Sequence, residues 1–218
     1  MAPQKIRITI KSAATFGRGD GVAGLVDREI EHDQYGFPFL RGKTFKGLLA
    51  ESAENVVFAL KDHPNQPDWR GIKDALFGKP GQGNTERGAL RIGDATLSAG
   101  LRSALQKELD AEPPTLTKED ILHGLTGIRR QTAMNEYGAP EHATLRSMRV
   151  LLPGVILEAD LHIDNPTDDQ LSLLTAACLD LRRAGTGRNR GRGHILVELD
   201  DAATTQSLFN TFAKAVNS

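Results

Sequence analysis

The residues best able to do chemistry lie in three stretches far apart in the chain. The densest is "AGTGRNRGRGHIL" (184–196): with the residues just before it, Arg182, Arg183, Arg188, Arg190 and Arg192 fall within eleven positions. Gly185, Gly187, Gly191 and Gly193 run among them, and no acid interrupts. The whole 218-residue chain carries a formal charge of only −1, so any polyanion must be attracted locally by this block. Glycines let backbone amides approach a ligand while guanidinium groups neutralise it. Five guanidiniums exceed what one phosphate requires, and an extended phosphodiester fits better. A plainer reading makes Arg182 and Arg183 partners of a helix C-terminus, which accounts for two of the five.

The second stretch, "FPFLRGKTFKG" (37–47), reads as the start of a helix with Thr44 as its N-cap. Amides of Phe45 and Lys46 at such an end bind phosphate well, and Lys43 and Lys46 flank it. Arg41 can add a contact or pair with an acid instead. The third stretch, "GLVDREIEHD" (24–33), holds Asp27, Glu29, His32 and Asp33. A loop carboxylate can hold a divalent metal or assist proton transfer. On its own it is more often a turn or cap residue.

Two nucleotide-binding readings fail on spacing. Five residues separate Gly36 from Gly42 ahead of "KT", where a P-loop requires four. "GTGRNRG" has one residue too many for a dinucleotide fingerprint and leads into a strand instead of a helix. A single cysteine, Cys178, permits no internal disulfide and fits a reducing cytoplasm. It sits in the apolar run "LSLLTAACLDL" and reads as a buried structural thiol. There is no ligand set for a structural zinc. No apolar run reaches the roughly 18 residues of a membrane span, and the amino end lacks a signal-peptide core.

The elements that must position these residues follow from periodicity. "KIRITIKS" (5–12) alternates Ile6, Ile8 and Ile10 against polar residues, a half-buried strand. Phe45, Leu48, Leu49, Ser52, Val56 and Leu60 share one face, giving a helix over 44–61. Residues 62–88 read as an elaborated loop around "WRGIKDALFG", and 88–97 as a short strand. Residues 98–149 lack strong periodicity and read as an insertion outside the core. "GVILEADLHI" (154–163) alternates again. In the helix that follows, Thr167 and Gln170 form a capping box, Leu171, Leu174, Cys178 and Leu181 a buried stripe, and Gly185 the C-terminal stop. "RGHILVEL" (192–199) is the last strand. The order strand, helix, strand, strand, helix, strand is that of an α+β, ferredoxin-like fold, also the plan of RNA-recognition modules. The paired aromatic motifs of those modules are missing.

Taken in order, "GLVDREIEHDQYGFPFLRGKTFKGLLAE" (24–51), "TGIRRQTAMNEYGAPEHATLRSMRVLLPGVILEADL" (126–161) and "AGTGRNRGRGHILVEL" (184–199) resemble the RAMP superfamily. More narrowly they resemble the backbone subunit of type III CRISPR effector complexes. Here Arg41 stands for the usual Pro and Thr44 for a Ser before the helix. The resemblance implies a single domain over 1–218, with the ferredoxin-like palm at about 4–61, 88–97 and 154–200. A thumb hairpin falls at about 127–149. It implies CRISPR RNA, complementary target RNA, copies of the chain itself and other type III subunits as partners in the cytoplasm, with no membrane. It makes Asp27 the residue that cleaves target RNA at regular intervals, with a divalent ion, Mg²⁺ or Mn²⁺, sharing the work. RNA-binding positions would be Arg41, Lys43, Thr44, Lys46, Gly185, Gly187, Arg188, Arg190, Gly191 and Arg192. In the insert, Arg129, Arg130, Arg146 and Arg149 alternate with Met134, Tyr137, Leu145 and Met148, a composition suited to gripping backbone and unstacking a base pair. Arg129 and Arg130 are its expected contacts. The alternatives are a non-cleaving RNA-binding subunit, and a repeat-RNA-processing endoribonuclease using His32 or His63.

Overall fold

The computed structural model describes residues 2–63, 67–79 and 88–217. β1 (Lys5–Ile10) is followed by α1 (Gly42–Leu60), α2 (Trp69–Phe77) and β2 (Leu90–Ile92). Next come α3 (Ala99–Leu109), α4 (Lys118–Leu125), β3 (Thr126–Gln131), β4 (Arg146–Leu151) and β5 (Ile156–Ile163). α5 (Asp168–Asp180), β6 (Ile195–Leu199) and α6 (Ala202–Asn217) close the described chain. The chain is thus mixed α+β with two antiparallel sheets: a four-stranded one in the order β2-β5-β1-β6 and the hairpin β3-β4.

The alternation in β1 sets this arrangement. Ile6, Ile8 and Ile10 lie fully buried and stand opposite Ala159 and Leu157 on one side, Leu199, Val197 and Ile195 on the other. These side chains share one sheet face because strand residues alternate between faces. Phe45 and Leu49 of α1 and Leu174 and Cys178 of α5 join the same core. α5 is buried nearly all round, Leu173 and Ala176 included, because α6 and α2 pack on its far side. Trp69 and Phe212 meet there with ring centroids 5.5 Å apart. α6 was not anticipated in the sequence, although Leu208, Phe212 and Val216 repeat at helical spacing and pack inward.

Four expectations need correction. α1 begins at Gly42, so Thr44 lies inside it and is not its N-cap; Arg41 holds that position without a side-chain cap. The cause is tertiary. A Cβ on Gly42 would lie 2.4 Å from the Ile92 carbonyl oxygen, so the helix starts where its backbone touches the end of β2, and Asp94 accepts from the Gly42 amide at 2.7 Å. The expected loop 62–88 contains α2, capped by Asp68; its residues 64–66 and 80–87 lie outside the described set. Residues 98–149 include two helices and most of a hairpin, and Ile121 within them is part of the main core. Finally, α5 ends at Asp180 with Leu181 as its cap, so Gly185 is not the helix stop. The Thr167–Gln170 capping box forms as the sequence indicated.

Candidate functional site

After β1 the chain forms a narrow finger, with Gly17 bridged to Ile30 and Val22 to Val26. Residues 27 and 28 then run along the free edge of β4. The Asp27 amide donates to the Ser147 carbonyl at 3.0 Å, and the Arg149 amide donates to the Arg28 carbonyl at 2.9 Å. Asp27 Oδ2 accepts from both the Ser147 amide, 2.6 Å, and the Ser147 hydroxyl, 3.0 Å. These donors, with Arg146 nearby, hold the exposed carboxyl below its ordinary value. Asp27 is therefore a fixed anion beside β4.

The glycine-rich loop faces it. Thr186 donates to the Thr15 carbonyl at 2.9 Å and Gly193 to the Ala13 carbonyl at 3.0 Å, which ties the loop to the segment leaving β1. At Gly185, φ is +87° and a Cβ would fall 2.5 Å from the Thr15 carbonyl oxygen, so only glycine allows this approach. Between Gly187 and Gly191 the chain makes a single 3₁₀ turn, Arg188–Arg190.

A cleft of about 480 Å³ separates the loop from the hairpin. Asp27, Arg28, Gln131, Arg146, Ser147 and Met148 line one wall, and Gly185 to Arg190 with Arg192 the other. Arg192 is largely buried. It donates to Met148 Sδ at 2.7 Å and to Gln131 Oε1, clamping the loop against the hairpin. Its pKa is lowered by burial and by the nearby guanidiniums of Arg129 and Arg190. Like charges gathered without an acid between them mark a place where an anion lowers the energy of the site. Arg190 is exposed and has no side-chain hydrogen bond or ion pair among the described residues. Asp27 is the one acid on these walls.

The other expected contacts divide. A second cleft, about 310 Å³, brings Arg41 and Thr44 of the α1 start together with Gly185, Thr186 and Arg188. Two carboxylates already engage its arginines. Glu31 takes Arg41 at 2.7 Å, and Glu51 takes Arg188 in a fork of 2.8 and 3.0 Å that raises the Arg188 pKa. Lys43 is exposed. Lys46 turns away, donating to the Leu90 carbonyl at 2.7 Å, and burial lowers its pKa. The expectation of free amides at Phe45 is corrected: that amide donates to the Arg41 carbonyl inside the helix. On β3, Arg129 stands opposite Met148 and Arg130 opposite Ser147, so the two point to opposite faces of the hairpin. Beyond them Met134, Tyr137 and Leu145 are strongly exposed.

A model of the RAMP superfamily matches residues 7–195. The chain belongs to the RAMP superfamily. No curated protein matches by sequence. Among solved structures, a chain of the type III-B Cmr-β complex bound to cognate target RNA is 13% identical, with TM-score 0.62 over 96% of this chain and 99% of that one. A chain of type III-B Cmr-β in the apo state is 12% identical, with TM-score 0.61 over 92% and 98%. At such identities the likeness is one of fold.

In this RAMP chain several site residues carry no sequence signal. Ser147, the partner of Asp27, is 120 positions away; Gln131 and Thr186 likewise matter only because the cleft brings them in. Arg149, read as one of the insert's basic residues, is instead buried with Glu29, Nε to Oε1 2.8 Å. Asp33 accepts from the amides of Tyr35 and Phe37 and from Arg102, a folding role. His32 bonds the Asp33 carbonyl, and neither His32 nor His63 lines these two clefts. Among the described residues no three or more His, Cys, Asp or Glu gather as a metal site. One carboxylate among arginines does not build a divalent-ion site from protein alone. No helix among the described residues is long and apolar enough to cross a membrane. Cys178 is fully buried, and desolvation pushes its thiol pKa up.

Proposed function

We propose that this RAMP protein is the guide-RNA-binding backbone subunit of a type III CRISPR complex, and that Asp27 cleaves target RNA bound to the guide. The observation that carries the reading is the cleft itself: an anionic Asp27, fixed by Ser147, faces a wall of arginines on a glycine-rich loop. The four-stranded sheet with α1 and α5 serves as a ferredoxin-like palm, and the β3–β4 hairpin as a thumb whose exposed Met134 and Tyr137 wedge into the duplex. Arg190 and Arg129 hold phosphates, and Arg188 joins them when a phosphate displaces Glu51, which gives affinity without sequence readout. Copies of the chain and other type III subunits extend the assembly in the cytoplasm.

Cleavage through the target's own 2′-hydroxyl requires in-line geometry, removal of a proton and neutralisation of the charged phosphorane. The arginine wall supports the last requirement. Asp27 is the residue that would hold Mg²⁺ or Mn²⁺, which would supply charge neutralisation at the phosphate; the protein alone offers too few ligands for a resident ion.

Asp27→Ala tests the reading. Guide and target binding should persist while cleavage falls about a hundredfold or more, and wild-type products should end in 5′-hydroxyl and cyclic phosphate. Full cleavage by the variant would sink the assignment. A second reading, a non-cleaving RNA-binding subunit, has support in the same geometry, since a structural aspartate also caps backbone this way. A wild type that binds both strands and leaves them intact selects it.

A further inference from the structure

Asp27 and Glu29 alternate along one extended segment, and Ser147 and Arg149 alternate along β4 beside it. Between them Arg28 and Met148 form a parallel bridge. The outer pair, Asp27 with Ser147, opens onto the arginine-lined cleft. The inner pair, Glu29 with Arg149, is closed in the interior, where Arg149 also donates to Thr126 Oγ1 at 3.2 Å and its carbonyl accepts from Thr15 Oγ1 at 3.0 Å. The segment cannot slip along β4 without breaking that buried pair, so the register between Asp27 and Ser147 is fixed from behind. Both Ser147 donors go to Oδ2, and Oδ1 takes no hydrogen bond from another residue among those described. One oxygen is thus anchored and the other left for a ligand.

We infer that Ser147 is the positioning residue for Asp27, holding its carboxylate in one orientation and at a fixed distance from the hairpin; this rests on the cleavage reading above. Asp27 sits on a loop, and a loop carboxylate would otherwise sample several rotamers. The two donors remove that freedom, and preorganisation of a reacting group is where displacements of about 1 Å cost about a hundredfold in rate. Because the anchor is part of β4, whatever the hairpin does to an RNA duplex sets where Asp27 meets it. Ser147 therefore governs both the rate of cutting and its position.

The test uses the full chain purified with its bound RNA and an end-labelled complementary target RNA. Ser147→Thr keeps the hydroxyl, and Ser147→Val has the same shape without it; both suit a strand, and melting curves confirm folding. Ser147→Val should cut about tenfold more slowly in single turnover, as loss of one hydrogen bond to a charged group implies, with target Kd unchanged. It should also add minor cuts beside the main site, while Ser147→Thr restores wild-type rate and pattern. If Ser147→Val cuts at the wild-type rate and position while Asp27→Ala is inactive, Ser147 is merely structural and the inference fails alone. If Asp27→Ala still cuts, or the wild type does not, the cleavage reading falls and takes this one with it.

Discussion

Replacing Arg149 by methionine separates a structural arginine from an RNA contact. Its side chain is 5% exposed and that of Glu29 is 2% exposed. The guanidinium fills the site with bonds to Glu29 Oε1 and Thr126 Oγ1. In Arg149→Met the Glu29 carboxylate stays buried with the Ile30 amide, 2.9 Å, as its remaining hydrogen-bond donor. Stranding one member of a buried ion pair costs about 3–5 kcal/mol. For a chain of 218 residues, each kcal/mol moves the melting midpoint by about 2 °C, so the drop should be about 6–10 °C. The double variant Glu29→Leu, Arg149→Met removes both charges and should recover most of that loss, since apolar replacements of buried pairs are often neutral. Thermal melts followed by circular dichroism, repeated in urea, measure both. RNA affinity and its salt dependence should be the same in the double variant as in the wild type. A single variant melting within 2 °C of the wild type, or a double variant with about one unit less salt slope, would refute the reasoning and return Arg149 to the RNA-contacting set.

Arg188→Ala with Arg190→Ala should weaken binding equally for unrelated guides and lower the log–log salt slope by about 1.4, the loss of two single-strand phosphate contacts. An unchanged slope would place the electrostatic footprint elsewhere. The Asp27 carboxyl, followed by carbon NMR, should titrate below the value of about 3.9 for a free aspartate, because Ser147 favours the charged form. The sign follows: the Asp27–Ser147 contact contributes stability that is present above the unfolded value and is lost as pH falls through the lower folded one. A midpoint at or above the free value would contradict it. Gly185→Ala should lower stability by more than about 1 kcal/mol and loosen the arginine loop, seen as faster amide exchange at Thr186; an unaltered melt would show that the Thr15 contact yields easily.

Local pattern in the sequence was enough for the four strands of the larger sheet, though not for β3 and β4, and for the basic character of the loop. Ile6, Ile8 and Ile10 alternate, and alternation has one physical meaning, a sheet with one buried face. The capping box at Thr167 and Gln170 is readable because its partners are three residues apart. The five arginines and four glycines of 182–193 mark a concentrated, locally basic loop by composition alone. What the sequence did not decide is which basic side chains take partners within the protein. Arg192 turns inward to Met148, Arg188 is held by Glu51, and Lys46 bonds to the Leu90 carbonyl; each outcome depends on a partner at least 44 positions away. The start of α1 shifted from Thr44 to Gly42 for the same reason, since the acceptor for the Gly42 amide is Asp94. Asp27 could be named from the sequence, but its orientation could not, because Ser147 meets it only when residues 27–28 lie along β4. Periodicity and composition act over a few residues and survive in the unfolded chain. Pairing, burial and the direction of a charge arise only when distant segments share a surface, and for this protein that surface is the cleft between the arginine loop and the hairpin.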